Sequence, residues 1–226
     1  TLTSSSENAH ASPEIEVNGE KKSYYFAYKY DGFVPTIVRD IIQRRMRIKE
    51  LIRSSTEKVD PALNARQNAL KLLSNSFYGY LGFPGARWYC KECAASIAAY
   101  GRDYIKKVIG EARNDGFKVV YADTDSIFLA LQNKTRNDAE EFLKKINSSL
   151  PSLMELEFQG FYPRGIFVMK KGERKGAKKK YALIDEKGKI KIIGFETIRG
   201  DWSYIAKEVQ NHVFELIMKD VDVKAA

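Results

Sequence analysis

The stretch FKVVYADTDSIFLAL, residues 117–131, sets two apolar runs on either side of Ala122-Asp123-Thr124-Asp125. Val, Tyr, Ile and Phe favour strands, so the pattern predicts a hairpin of Phe117 to Tyr121 and Ser126 to Leu131 with an acidic tip. Two carboxylates two residues apart on extended backbone project to the same side and can share a divalent metal. Val119, Val120, Ile127 and Phe128 would hold that turn rigid. For an isolated Asp-x-Asp there is a rival reading, in which the aspartates only cap backbone N–H groups.

Upstream of the hairpin the spacing predicts helices. One runs from about Cys90 to Arg113 and ends at Asn114-Asp115-Gly116. A second follows Pro61, from Ala62 to about Tyr80, and the short linker before it implies an antiparallel pairing with a helix from Val34 to Arg53. Val34, Ile37, Val38, Ile41, Ile42, Ile48 and Ile52 form the apolar stripe of that first helix, and Arg45 and Lys49 fall on it. Snorkelling, with aliphatic stems over the core and charges in water, accounts for such residues when nothing else is known. On the second helix Asn64, Gln67, Asn68, Lys71, Asn75 and Tyr78 share one stripe. Amides with a single Lys suit donation to a ligand, while a plain polar face is the alternative.

Residues 1–23 read as a loose leader with an Asn18-Gly19 turn signal, followed by a short aromatic strand at Ser23 to Lys29. Downstream of the hairpin the pattern predicts a helix at Arg136 to Asn147 and strands at Leu153 to Phe158, Gly165 to Met169, Lys180 to Ile184 and Ile190 to Phe195. A Lys-rich region at 170–180 interrupts them, and an amphipathic helix from Trp202 to Met218 follows.

Lys and Arg outnumber Asp and Glu by 38 to 29 in 226 residues, a formal charge of +9 that favours a polyanionic partner such as nucleic acid. No apolar run approaches the roughly 20 residues that span a bilayer. The polar N-terminus has no secretory pattern, so an intracellular, cytoplasmic setting is expected. Cys90 and Cys93 could be half a zinc site, a redox pair or a local bridge, and His10 and His212 lie far from them in sequence.

KLLSNSFYG at 71–79, YADTDS at 121–126, KKKY at 178–181 and DWS at 201–203 together resemble the family B DNA polymerases. The resemblance covers about residues 33 to 215, and ARWYCKEC at 86–93 with Gly101-Arg102 looks especially like archaeal members. It implies an α+β fold. Residues 1–32 would be an N-terminal leader and palm-edge segment, 33–85 helical-hairpin fingers, 86–195 a partial antiparallel-sheet palm, and 196–226 the start of a helical thumb.

The resemblance assigns Arg45, Lys49, Lys71 and Asn75 to the incoming dNTP and sets Tyr78 against the nascent base pair. It makes Asp123 and Asp125 catalytic carboxylates holding two Mg²⁺ ions, with Asp125 as the bridging ligand. Lys178, Lys179 and Tyr181 would lie along the minor groove of primer-template DNA, and Cys90 and Cys93 would form a local disulfide. The family's first palm motif, Asp-x-x-Ser-Leu-Tyr-Pro, occurs nowhere in the chain, and neither do its exonuclease carboxylate motifs. The resemblance therefore implies a DNA-associated subunit of a split archaeal polymerase, inactive until a large partner subunit supplies the missing Asp and the exonuclease. An excised piece of a single-chain enzyme and a non-catalytic DNA-binding subunit are the alternatives. Gly200 stands where relatives commonly carry a second Arg before Asp-Trp-Ser.

Overall fold

In the computed structural model the chain is described over residues 2–29, 31–55, 60–169, 176–198 and 200–220, without the side chains of 169, 176–178 and 220. It divides into two compact units, Thr1–Glu111 with Ile146–Glu155 and Ala112–Lys145 with Leu156–Ala226.

The first unit opens with the short strands β1 (Leu2–Thr3), β2 (Ala9–Ala11), β3 (Ile15–Val17), β4 (Glu20–Lys22) and β5 (Tyr25–Ala27). β1, β5 and β2 form one antiparallel sheet in that order, and β3 pairs with β4. The expectation of a loose leader is corrected by these strands. Asn18 and Gly19 both adopt positive φ, 54° and 83°, the backbone that closes a two-residue hairpin, so β3 and β4 pair despite their polar composition. Ser12 is buried where its Oγ accepts the Tyr24 N–H and its own N–H donates to the Tyr24 carbonyl.

Helix α1 (Phe33–Ser54) packs on α2 (Pro61–Gly82) as the expected hairpin. Asp60 caps α2 by accepting the Ala62 N–H at 2.8 Å, and Pro61 loses no hydrogen bond in the first turn, so the sequence stops one helix and starts the next within a few residues. Ile41 and Ile48 are the buried positions of α1, whereas α2 buries none of its residues. Helix α3 (Lys91–Asn114) is tied to β2, because the Tyr100 hydroxyl donates to the Ala11 carbonyl at 3.1 Å.

In the second unit β6 (Lys118–Ala122) pairs with β7 (Ile127–Ala130), confirming the acidic-tipped hairpin. A bulge at Val120 interrupts the ladder between Val119 and Tyr121. Thr135 and Asp138 cap α4 (Arg136–Ser149) reciprocally, backbone N–H to side-chain oxygen in both directions. β8 (Arg164–Met169), β9 (Gly176–Ile184) and β10 (Ile190–Ile193) make an antiparallel sheet with β9 in the centre. Its core holds Ala182, Phe195 and Phe214 with Ile166, Val168 and Ile192 against them.

A 3₁₀ turn at Glu196–Ile198 precedes α5 (Tyr204–Glu215), whose first turn is capped by Ser203 of the Asp-Trp-Ser run, and a π turn at Leu216–Asp220 continues the helix. The expected strand at Leu153 to Phe158 is absent: 151–163 is irregular and pairs with no described strand. The overall class is α+β, as expected.

Candidate active site

The β6–β7 turn orders its two aspartates differently. Asp123 donates its N–H to the Ser126 carbonyl at 2.9 Å, and its Oδ1 accepts the Thr124 N–H at 2.8 Å and the Thr124 hydroxyl at 3.2 Å. Part of the capping reading therefore holds for this residue. Asp125 is exposed, and among the described residues no hydrogen bond or ion pair engages its carboxylate. Carboxylate oxygens are the hard donors that Mg²⁺ takes, so the chemistry of the pair fits that ion. Among the described residues no cluster of three or more acidic, His or Cys side chains occurs.

Behind the turn lies a cluster of four rings, Tyr121 and Phe128 from the hairpin and Phe167 and Tyr181 from β8 and β9, with centroids 5.2 to 5.9 Å apart. Such pairs add about 0.5–1.5 kcal/mol each beyond area burial, enough to fix a hairpin that shares no ladder with the larger sheet. Tyr181 senses the acidic tip: burial, then the neighbouring Tyr121, Asp123, Tyr162 and Asp125, hold its hydroxyl above the usual range. Lys179, two residues earlier, is exposed, adopts φ 56° and donates its backbone N–H to the Tyr121 hydroxyl at 2.6 Å. Lys178 lies on β9, its side chain outside the described residues.

Arg45, Lys49, Lys71, Asn75 and Tyr78 all belong to the first unit. Arg45 is half-buried with its Nε shielded and without a hydrogen-bond partner. Lys49, with a side chain only 17% exposed, turns its Nζ to Glu155 at 3.4 Å, and Arg53 holds the other oxygen of that carboxylate at 2.8 Å. Lys71, Asn75 and Tyr78 are exposed on α2. Gln67 of the same polar stripe donates to Asn68 at 2.9 Å. The site residues thus fall into two sets, one in each unit.

Cys90 and Cys93 are free thiols with sulfurs 2.8 Å apart at the start of α3, and Cys90 Sγ also accepts the Cys93 N–H. Burial and the Cys90 sulfur push the Cys93 thiol up to about 12, which makes it a poor nucleophile near neutral pH. Two residues escaped the sequence reading. Tyr121 carries no site role in the sequence reading, although it stands in the YADTDS motif beside the acidic tip. Glu155 had no signal, because its partners lie about a hundred residues away.

The model of DNA polymerase family B matches residues 1–225. A DNA polymerase of Thermococcus sp. (strain 9oN-7) is 47% identical over 207 residues, 89% of this chain and 26% of that protein. A DNA polymerase of Pyrococcus glycovorans is 43% identical over 225 residues, 97% of this chain and 28% of that protein. The solved family B DNA polymerase of the hyperthermophilic archaeon Pyrobaculum calidifontis superimposes with a TM-score of 0.67 at 33% identity, over 89% of this chain and 24% of that one. The chain spans about a quarter of the length of these relatives. With matches running almost end to end, and with the carboxylate hairpin in place, this chain belongs to DNA polymerase family B.

Proposed function

We propose that this chain supplies the nucleotide-gripping fingers and the Asp-Thr-Asp turn of a template-directed DNA polymerase, and that it acts with a partner chain carrying the first palm motif and the exonuclease. The observation that carries the reading is the β6–β7 turn, where Asp125 stands exposed and unengaged among the described residues while Asp123 stiffens the backbone beneath it. Asp123 and Asp125 would hold Mg²⁺ together with an aspartate of the partner. The ion would lower the pKa of the primer 3′-hydroxyl and neutralise the leaving pyrophosphate.

Arg45, Lys49 and Lys71 bring cationic donors to a triphosphate, Arg in bidentate fashion and Lys as a point charge, while Asn75 donates without adding charge. Tyr78 presents a flat ring, half exposed, that can test the shape of a base pair without reading its sequence. Lys178, Lys179 and Tyr181 would follow the minor groove, whose acceptors vary little with sequence. Residues 33–85, 86–195 and 196–226 would serve as fingers, partial palm and start of the thumb. Cys90 and Cys93 would close a disulfide under oxidising conditions, the contact between their sulfurs favouring it.

The test is primer extension by the chain mixed with polymerase fragments that carry the first palm motif. The chain alone should be inactive and the mixture active. Asp125→Asn should abolish extension in the mixture while leaving primer-template binding largely intact, because the change removes the metal's charge but keeps size and hydrogen-bonding reach. Tolerance of Asp125→Asn would favour the non-catalytic DNA-binding alternative. Failure to associate with any such fragment would favour a piece of a single-chain enzyme.

A further inference from the structure

Lys179 sits in an unusual backbone state with three features built around it. It takes the left-handed region that residues with a Cβ disfavour. Its N–H donates to the Tyr121 hydroxyl at 2.6 Å, across 58 residues of sequence. Its carbonyl oxygen faces Gly194, also at positive φ, where an added Cβ would collide with that oxygen and stand 2.9 Å from the carbonyl carbon. Tyr121 on one side and a glycine on the other therefore hold one residue of β9, through the peptide before it and the peptide after it.

The consequence is a register. β8 and β9 pair regularly from Arg164↔Ile184 to Phe167↔Tyr181, then slip, so that Met169 faces Gly176. The left-handed residue lies inside this slip. Beyond it Lys180 is committed to Glu196 at 2.7 Å, and Tyr181 stays in the ring cluster with Tyr121 and Phe128 of the hairpin. An extended Lys179 would continue the regular pairing of β8 with β9 and remove the slip between Phe167 and Met169. The Tyr121 ring is packed by Phe128, Phe167 and Tyr181, so its hydroxyl is aimed rather than free, and its backbone stands two residues before Asp123 in the hairpin that carries the acidic tip.

We propose that Tyr121 is a positioning residue: its hydroxyl holds Lys179 in the left-handed state and thereby sets the primer-facing strand β9 in register with the carboxylate turn. The proposal rests on the polymerase reading for its consequence, though not for the hydrogen bond itself. Tyr121 acts through Lys179 and Tyr181.

Tyr121→Phe removes one oxygen and keeps the ring packing, so the fold should survive it. In the full chain, the Lys179 amide should lose about tenfold of its protection against hydrogen exchange, as expected for one lost hydrogen bond, while the buried Ala182 amide keeps its own. Unchanged protection at Lys179 would overturn the proposal. In the assembled polymerase the same variant should lower kcat about five- to twentyfold through a displaced primer terminus and leave KM for dNTP within about twofold, because the nucleotide contacts belong to α1 and α2. Wild-type kinetics with lost protection would overturn the positioning role, as would a KM that moves with kcat. If wild-type assemblies are inactive throughout, the polymerase reading fails and the role with it, while the exchange result still decides whether Tyr121 holds Lys179.

Discussion

Gly194→Ala perturbs the approach of two backbone segments, and its cost can be worked out by comparison with a second glycine. Gly194 has φ 71°, and a Cβ there meets the Lys179 carbonyl and comes within 3.3 Å of Lys180 Cα. Gly188, in the turn joining β9 to β10, has φ 77°, and a Cβ there meets nothing within 4 Å. Alanine at either site bears the left-handed penalty of about 1–2 kcal/mol. Only Gly194→Ala adds a steric clash, about 1–3 kcal/mol by the scale of overpacking, because its neighbour, though Gly194 itself is exposed, is backbone that cannot rotate aside. Lys179 is held from the other side by Tyr121 and Lys180 by Glu196, so the strand has little room to yield. Gly194→Ala should therefore be destabilised by about 2 kcal/mol more than Gly188→Ala, read as a lower urea midpoint at equal slope. Equal midpoints for the two variants would refute the close approach and the clamped state of Lys179 with it.

Two further outcomes are expected. If the proposed function holds, Lys71→Ala in the assembled polymerase should raise KM for dNTP about tenfold, the effect of one lost charge-assisted contact, whereas Arg44→Ala, whose guanidinium is already paired with Asp40 at 2.8 Å, should stay within about twofold. Equal effects would indicate a merely solvated basic face. Glu196 is held at about 2, below its ordinary 4.5, by hydrogen bonds from Lys180 and Gln210. A depressed folded pKa stabilises above the unfolded value and loses that stability as pH falls through the folded one, so melting temperature should drop between about pH 4.5 and 2. Glu196→Gln should flatten the drop, and an unchanged profile would remove Glu196 from the account.

What could be read from the sequence was what local chemistry decides. Asp60-Pro61 starts α2 because one residue caps and the other needs no donor, and the Asp-Thr-Asp tip reverses the chain between two strongly β-forming runs. The failures have non-local causes. Residues 153–158 alternate like a strand, but alternation forms a strand only beside a partner edge, and Glu155 instead meets Lys49 and Arg53. Residues 1–23 are polar and short-patterned, yet Asn18 and Gly19 supply the one backbone geometry that makes β3 and β4 pair. Of the candidate site, the residue types of both sets were legible. Tyr121's bond to Lys179 was not, because it joins strands through a bulge and a left-handed residue that no periodicity encodes.

The charges of the helical hairpin then bear on how a triphosphate would be met under the proposed function. On α1, Arg39 is paired with Asp31, Arg44 with Asp40, and Lys49 and Arg53 with Glu155. Lys71 on α2 has no acidic partner among the described residues, and the Arg45 Nε has no hydrogen bond. An arriving polyanion would therefore be drawn first to Lys71, while Lys49 must give up its contact with Glu155 for phosphate oxygens. That exchange is favourable on general grounds. The Lys49–Glu155 contact is long, at 3.4 Å, pairs near a protein surface are worth only about 0–1 kcal/mol, and a triphosphate offers several charges where Glu155 offers one. Arg53, closer at 2.8 Å, keeps Glu155 neutralised when Lys49 leaves, so the exchange does not strand that carboxylate. A half-buried lysine on an apolar stripe can thus be satisfied while the site is empty and still be available when nucleotide comes.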